Sequence, residues 1–90
     1  MMFKFNPGVI VTTVAAQTKF DAADIQTCIT RHLSCDWGDL PAADALLNDE
    51  GIKPESPDRL HSSYRLPQGV LWVITEMDRS ATTALLPSDY

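Results

Sequence analysis

The sequence predicts an α+β domain: an N-terminal strand and two helices, then a three-stranded antiparallel meander with the helices packed on one sheet face. Three observations carry this prediction: a β-branched run after Pro7-Gly8, a three-four apolar spacing from Ala22 to Leu33, and a switch to period two from Arg59 onward. Ninety residues with 44% hydrophobic content support one core, so residues 1–90 read as a single domain.

Gly8-Val9-Ile10-Val11-Thr12-Thr13-Val14 suits a strand better than a helix, because β-branched side chains fit a pleated surface. Asp21 then opens a helix. Its carboxylate can accept from first-turn amides, Asp24 stands at the capping-box position, and Phe20 with Ile25 has the spacing of a hydrophobic staple. Ala22, Ile25, Cys28, Ile29, His32 and Leu33 make one buried stripe, and the helix should stop near Ser34 before a turn at Trp37-Gly38-Asp39. Asp39 is the expected N-cap of a second helix from Leu40 to Glu50, with Pro41 in its first turn, Gly51 at its stop, and Leu46 and Leu47 as its apolar contact.

Lys53-Pro54-Glu55-Ser56-Pro57-Asp58 reads as a loop. Beyond it, Leu60, Ser62, Tyr64 and Leu66 alternate with Arg59, His61, Ser63 and Arg65, as in a half-exposed strand. Pro67-Gln68-Gly69 is a tight connection. Val70 to Thr75 is apolar on both faces and belongs in the middle of a sheet, and Thr82 to Leu86 returns as the last strand before Pro87.

The net charge is −5, and its distribution is uneven. Residues 21–58 hold nine acids against Arg31 and Lys53, a balance of −7, which disfavours direct contact with nucleic acid phosphates and suits a basic partner. The longest apolar run, Val70 to Ile74, is far shorter than the roughly 20 residues of a membrane span. A cytoplasmic protein without membrane contact is the expectation. Cys28 and Cys35, about 10.5 Å apart on a continuous helix, are expected as free thiols.

The densest cluster of reactive groups is His32-Leu33-Ser34-Cys35-Asp36-Trp37-Gly38-Asp39. Imidazole and carboxylates at this spacing could hold a metal or shuttle protons. The structural reading fits the pattern better: His32 lies on the apolar stripe at a helix C-terminus, where it can serve a free carbonyl and the dipole. Trp37 is expected to pack under the turn, or else to serve as an exposed contact. In Thr75-Glu76-Met77-Asp78-Arg79-Ser80, Asp78 and Ser80 should bond their own backbone, with Arg79 paired to Glu76 or Asp78 or free for a ligand's carboxylate or phosphate. Arg59, His61 and Arg65 form a basic stripe expected to face the chain's own acids. The phosphate loop, paired C-x-x-C, H-E-x-x-H and G-x-S-x-G patterns do not occur in the sequence.

His32-x-x-x-Asp36-Trp37-Gly38-Asp39, Asp44, Asn48, Arg59-Leu60-x-Ser62-x-Tyr64, Trp72-Val73-Ile74-Thr75-Glu76-x-Asp78-Arg79-Ser80-x-Thr82 and Leu85-Leu86-Pro87-x-Asp89-Tyr90 follow one another in a specific order. That order resembles the small "plasmid-related" proteins of bacterial plasmids and integrative elements, over residues 31–90; the first 30 residues match only as strand then helix. The proline-rich Lys53–Asp58 loop departs from the family's pattern. Many members carry the label of a type I restriction-modification methyltransferase subunit. A methyltransferase needs a Rossmann-like sheet with a glycine-rich cofactor turn, and a DNA-amine enzyme an N-P-P-[FY] loop; this sequence has neither.

The resemblance implies a mobile-element setting and a protein partner. The expected function is that of a non-enzymatic interaction protein of a plasmid, phage or integrated element, countering host restriction or CRISPR machinery. Its expected contacts are Asp36, Trp37, Asp39, Asp44, Asp78 and Arg79, with no cofactor or metal, acting as a monomer or as a homodimer through a strand edge. DNA mimicry is a sharper version, for which nine acids over two helices and a loop are sparse. The opposing reading is a small hydrolase or nucleic-acid-processing enzyme using His32, Asp36, Asp39 and Glu76.

Overall fold

The computed structural model describes residues 3–90. The chain runs β1 (Val9–Thr12), α1 (Val14–Lys19), α2 (Ala22–Leu33), α3 (Ala42–Gly51), β2 (Leu60–Leu66), β3 (Gly69–Thr75) and β4 (Ala81–Leu85), and ends in a 3-10 turn at Pro87–Asp89. The four strands form one sheet in the order β1-β4-β3-β2, so the fold is α+β as the pattern predicts. β2, β3 and β4 are the antiparallel meander, with Tyr64 opposite Leu71 and Val73 opposite Ala84. β1 joins it in parallel beside β4, placing Ile10 opposite Thr82 and Thr12 opposite Ala84.

α1 and α2 lie on one face of the sheet. There Ala16, Phe20, Ile25 and Cys28 meet Tyr64, Leu71, Val73 and Ala84 in the main core. The period-two reading of residues 60–66 is realised directly, since Leu60, Ser62 and Tyr64 are buried while Arg65 is exposed. On the other face, Trp72 is flanked edge-on by His61 and Tyr90, at centroid distances of 4.5 and 6.0 Å. Among the described residues, no helix is long and apolar enough to cross a membrane.

The structure corrects several local expectations. The β-branched run after Gly8 gives only a four-residue strand. Thr13 ends it by accepting the Ala16 amide at 3.2 Å, which makes it the N-cap of α1, a helix the sequence pattern does not predict and of which only Val14 falls in the expected strand. Asp21 is the N-cap of α2 by backbone geometry but makes no side-chain capping bond. Asp39 does not cap α3, whose N-cap is Pro41. Leu46 and Leu47 are exposed, and α3 buries Asn48 and Gly51 instead.

The C-terminus of α2 is a Schellman motif. The Asp36 amide bonds the Arg31 carbonyl at 2.9 Å and the Cys35 amide bonds the His32 carbonyl at 3.0 Å, with Cys35 left-handed at φ 65°. Gly38 also has positive φ, and a Cβ there would stand 2.2 Å from the Ser63 carbonyl oxygen and 2.6 Å from the Tyr64 ring. These two positions should respond to substitution with opposite signs. Cys35→Gly relieves a left-handed non-glycine residue and should raise unfolding free energy by about 0.5–1 kcal/mol. Gly38→Ala forces backbone against backbone and should cost about 2 kcal/mol or more, both read by urea denaturation.

Candidate interaction surface and the polar chain beneath it

His32 is fully buried at the junction of α2, β2 and β3. Its Nδ1 meets the Ser62 hydroxyl, and its Nε2 lies 2.9 Å from Thr75 Oγ1. Thr75 Oγ1 is in turn 2.7 Å from Thr82 Oγ1, which donates to the Pro7 carbonyl at 2.8 Å. A carbonyl can only accept, so the proton order along the chain follows from its last member. Thr82 donates to Pro7, Thr75 to Thr82, His32 Nε2–H to Thr75, and Ser62 to the unprotonated Nδ1. Every member is satisfied only with the neutral Nε2–H tautomer of His32.

Burial, reinforced by the positive charges of His61 and Arg79, pushes the His32 pKa down from 6.5 to about 3. The ring therefore does not serve the helix dipole as a cation, and it bonds side chains of the sheet in place of a helix carbonyl. Phe5 meets it edge-on at 5.5 Å and Trp37 at 5.4 Å, which closes an aromatic shell around the imidazole. Ser62 and His32 have the residue types of a nucleophile and base. Both have no accessible surface, and the hydroxyl proton is already committed to Nδ1, so no substrate atom can approach the pair.

The remaining residues of the reactive corner are also engaged within the molecule. Arg31 binds Asp36 through two bonds of 2.7 and 3.2 Å and holds that carboxyl below the usual range, while the guanidinium lies 4.7 Å from the Tyr64 ring centroid. Trp37 is only 6% exposed, and its indole N–H donates to Asp49 on α3 at 2.9 Å. It therefore lies under the expected contact surface. Asp39 accepts from the Arg65 amide at 2.7 Å, and Glu76 is exposed in the β3–β4 turn. His32, Asp36, Asp39 and Glu76 share no open cleft. Among the described residues, no group of three His, Cys, Asp or Glu side chains is placed to hold a metal ion.

Arg79 is a structural clamp. It donates to the Gly51 carbonyl at the end of α3 at 2.7 Å, and to those of Asp58 at 2.6 Å and Glu76 at 3.2 Å. These are backbone oxygens, where the sequence suggested a carboxylate of Glu76 or Asp78. Asp78 accepts the Ser80 amide at 3.0 Å, and that bonding from Ser80 keeps its carboxyl low. Arg59 turns to the Tyr90 hydroxyl and ring and not to the chain's acids.

α3 runs beside β2 and closes that sheet edge. Asn48 accepts the His61 amide at 3.2 Å and donates to its carbonyl at 2.7 Å; Trp37 and Asp39 bond the amide and carbonyl of Ser63. With Asp39 on the Arg65 amide, each outward-facing residue of β2 has a partner. The outer side of this cover carries exposed Asp36, Asp39, Asp44, Asp49 and Glu50, among which Leu46 is 64% and Leu47 69% exposed. Leu47 borders a shallow depression of about 300 Å³ with Leu40, Asp44, Asp58 and Arg59. Apolar residue type alone assigned the inward contact of α3 to these leucines, whereas its buried contact is the Asn48 amide paired with strand backbone. Comparison with family models, curated proteins and solved structures finds no match to this chain.

The neutral buried imidazole predicts an acid-sensitive fold. The unfolded chain binds a proton at His32 below pH 6.5 while the folded chain does not until about pH 3, so stability is complete above 6.5 and falls as pH is lowered through that window. The loss from this residue between about pH 7.5 and pH 5 should be about 2 kcal/mol by urea denaturation. Thr75→Val removes the acceptor of Nε2–H and should cost about 1–3 kcal/mol at neutral pH.

Proposed function

We propose that this chain is a small non-enzymatic interaction protein whose acidic, leucine-bearing α3 surface docks onto another protein. The observation that carries the reading is the pair Leu46 and Leu47, held out among acids on a helix whose inward contacts are made by other residues. Large apolar side chains on such a surface supply binding energy when a partner desolvates them, and surrounding carboxylates select a basic rim and speed encounter. Asp36, Asp39 and Asp44 belong to that rim, with Asp78 beside the α3 C-terminus through the Arg79 clamp.

The resemblance to small proteins of plasmids and integrative elements suggests the biological setting. In that setting the partner is host restriction or CRISPR machinery, and binding to it blocks defence. The acids are spread over a helix and the turn before it, which suits a basic protein groove better than it imitates a DNA backbone.

Expression of the chain in bacteria carrying a type I restriction or a CRISPR system should raise the plating of phage sensitive to that system, and the tagged chain should retain a component of it. Leu47→Ser should weaken that retention about tenfold or more while changing stability by less than about 0.5 kcal/mol, because the side chain is exposed. Unchanged retention by Leu47→Ser, or substrate turnover by the purified chain, would overturn the reading.

A further inference from the structure

The two edges of the sheet are treated differently. On β2, His61, Ser63 and Arg65 are each bonded by the cover formed from Trp37, Asp39 and Asn48. On β1, the Val9 amide bonds the Ser80 carbonyl and the Thr13 amide the Ala84 carbonyl, both at 3.0 Å. Alternation along the strand then directs the amides and carbonyls of Ile10 and Thr12 away from β4. Among the described residues, no hydrogen bond reaches those outward groups.

Apart from its shortness, β1 lacks the usual protections of an edge strand. Val9–Thr12 holds no charge, no proline and no bulge, and Val9, Ile10 and Val11 are 65%, 45% and 44% exposed. Beside it, on the helical face, a groove of about 540 Å³ opens between β1 and α2, lined by Phe3, Ile10, Phe20, Ile25, Ile29 and Leu33 among uncharged residues only. An extended, uncharged segment fits this site: its backbone would complete the edge and its alternate side chains would close the groove.

We propose that the occupant is β1 of a second copy, paired antiparallel about a two-fold axis at Val11, so that the two sheets become one continuous sheet. The register is self-complementary. Ile10 of each copy stands opposite Thr12 of the other, and both are residues whose backbone groups face outward, so each pair exchanges two N–H···O bonds. Val11 faces Val11 across the axis in the closer, non-hydrogen-bonded position. Ile10 and Thr12 lie on the helical face in both copies, which brings the two apolar grooves together at the seam. With the axis at Val11, Ile10, Val11 and Thr12 of the two copies oppose one another, and Val9 stands opposite Thr13, the N-cap of α1.

Charge does not oppose this pairing. Each copy carries −5, but the acidic strip lies along β2, three strand spacings away. That is about 14 Å, beyond the roughly 8 Å screening length at physiological ionic strength. Val9–Thr12 and the groove lining carry no charge, and the Asp89 carboxylate at the end of β1 is engaged by the Thr13 hydroxyl at 2.7 Å.

Sedimentation equilibrium of the full chain at about 100 µM, a concentration suited to a small interface, should give twice the 9.9 kDa chain mass. Val11→Lys sets like charges face to face at the axis and should weaken association at least about tenfold, with an unchanged circular dichroism spectrum. Val11→Glu should do the same. An equimolar mixture of the two variants should restore the dimer, which also shows that both are folded. A monomeric wild type, a Val11→Lys variant that still dimerises, or a mixture that stays monomeric would each overturn the proposal. The first outcome would leave the edge to a foreign strand. The result is independent of partner retention by Leu47, so the two readings can fail separately.

Discussion

The structure depends on one buried imidazole kept neutral. His32 bonds the hydroxyls of two strands and sits inside an aromatic shell from two separate segments. Through Thr75 and Thr82, its hydrogen-bond chain reaches the Pro7 carbonyl, so the N-terminal segment, α2 and three strands share one set of proton positions. A half-satisfied chain of this kind would be worse than an apolar core, since each orphaned group keeps its desolvation cost. The complete chain specifies how α2 sits on the sheet and where the N-terminal segment crosses it. It also removes from chemistry the residue that looks most reactive in the sequence.

Around that centre, charged side chains act on backbone more than on one another. Arg79 gathers three carbonyls from α3, the 52–59 loop and the β3–β4 turn. Asp39 and Asn48 take the place of a fifth strand along β2, using a carboxylate and an amide where a neighbouring strand would offer carbonyls and amides. A small domain gains from this substitution because a side chain can close an edge without the ordering cost of a further strand. The consequence for α3 is that its inward face is polar and its leucines face solvent.

The parts of the fold that periodicity governs were legible in the sequence: the meander, its central strand, and the stripe of α2 from Ile25 to Leu33, although Ala22 at its expected start is exposed. Local signals with two meanings were not. Thr13 is as good an N-cap as it is a strand residue, and β-branched neighbours on both sides favoured the strand; only the geometry at Ala16 decides it. Asp39 had the type and position of a cap, but the β2 edge competes for the same carboxylate and the tertiary bond wins. The anchoring role of Asn48 in α3 has no local signal, since it exists only once His61 is brought beside it. At the reactive corner, the place of His32 on the apolar stripe of α2 was legible, but its partners are the hydroxyls of Ser62 and Thr75, which lie 30 and 43 residues further along the chain, and not a helix carbonyl.

The placement of charge and bare backbone divides the molecule into two sides. The covered β2 edge is acidic and presents side chains, so whatever binds there is selected by shape and charge. The β1 edge is uncharged and presents backbone groups, which any extended chain can satisfy, so selectivity must come from register and from the groove beside it. α2 spans the distance between them: Ile29 and Leu33 line the groove, and Arg31, between them in the sequence and so on another face of the helix, fixes Asp36 on the acidic side. His32 ties α2 to the sheet through both ring nitrogens, so the placement of both sides depends on the same ring. Protonation of the imidazole by acid would therefore disturb the acidic side and the β1 side together.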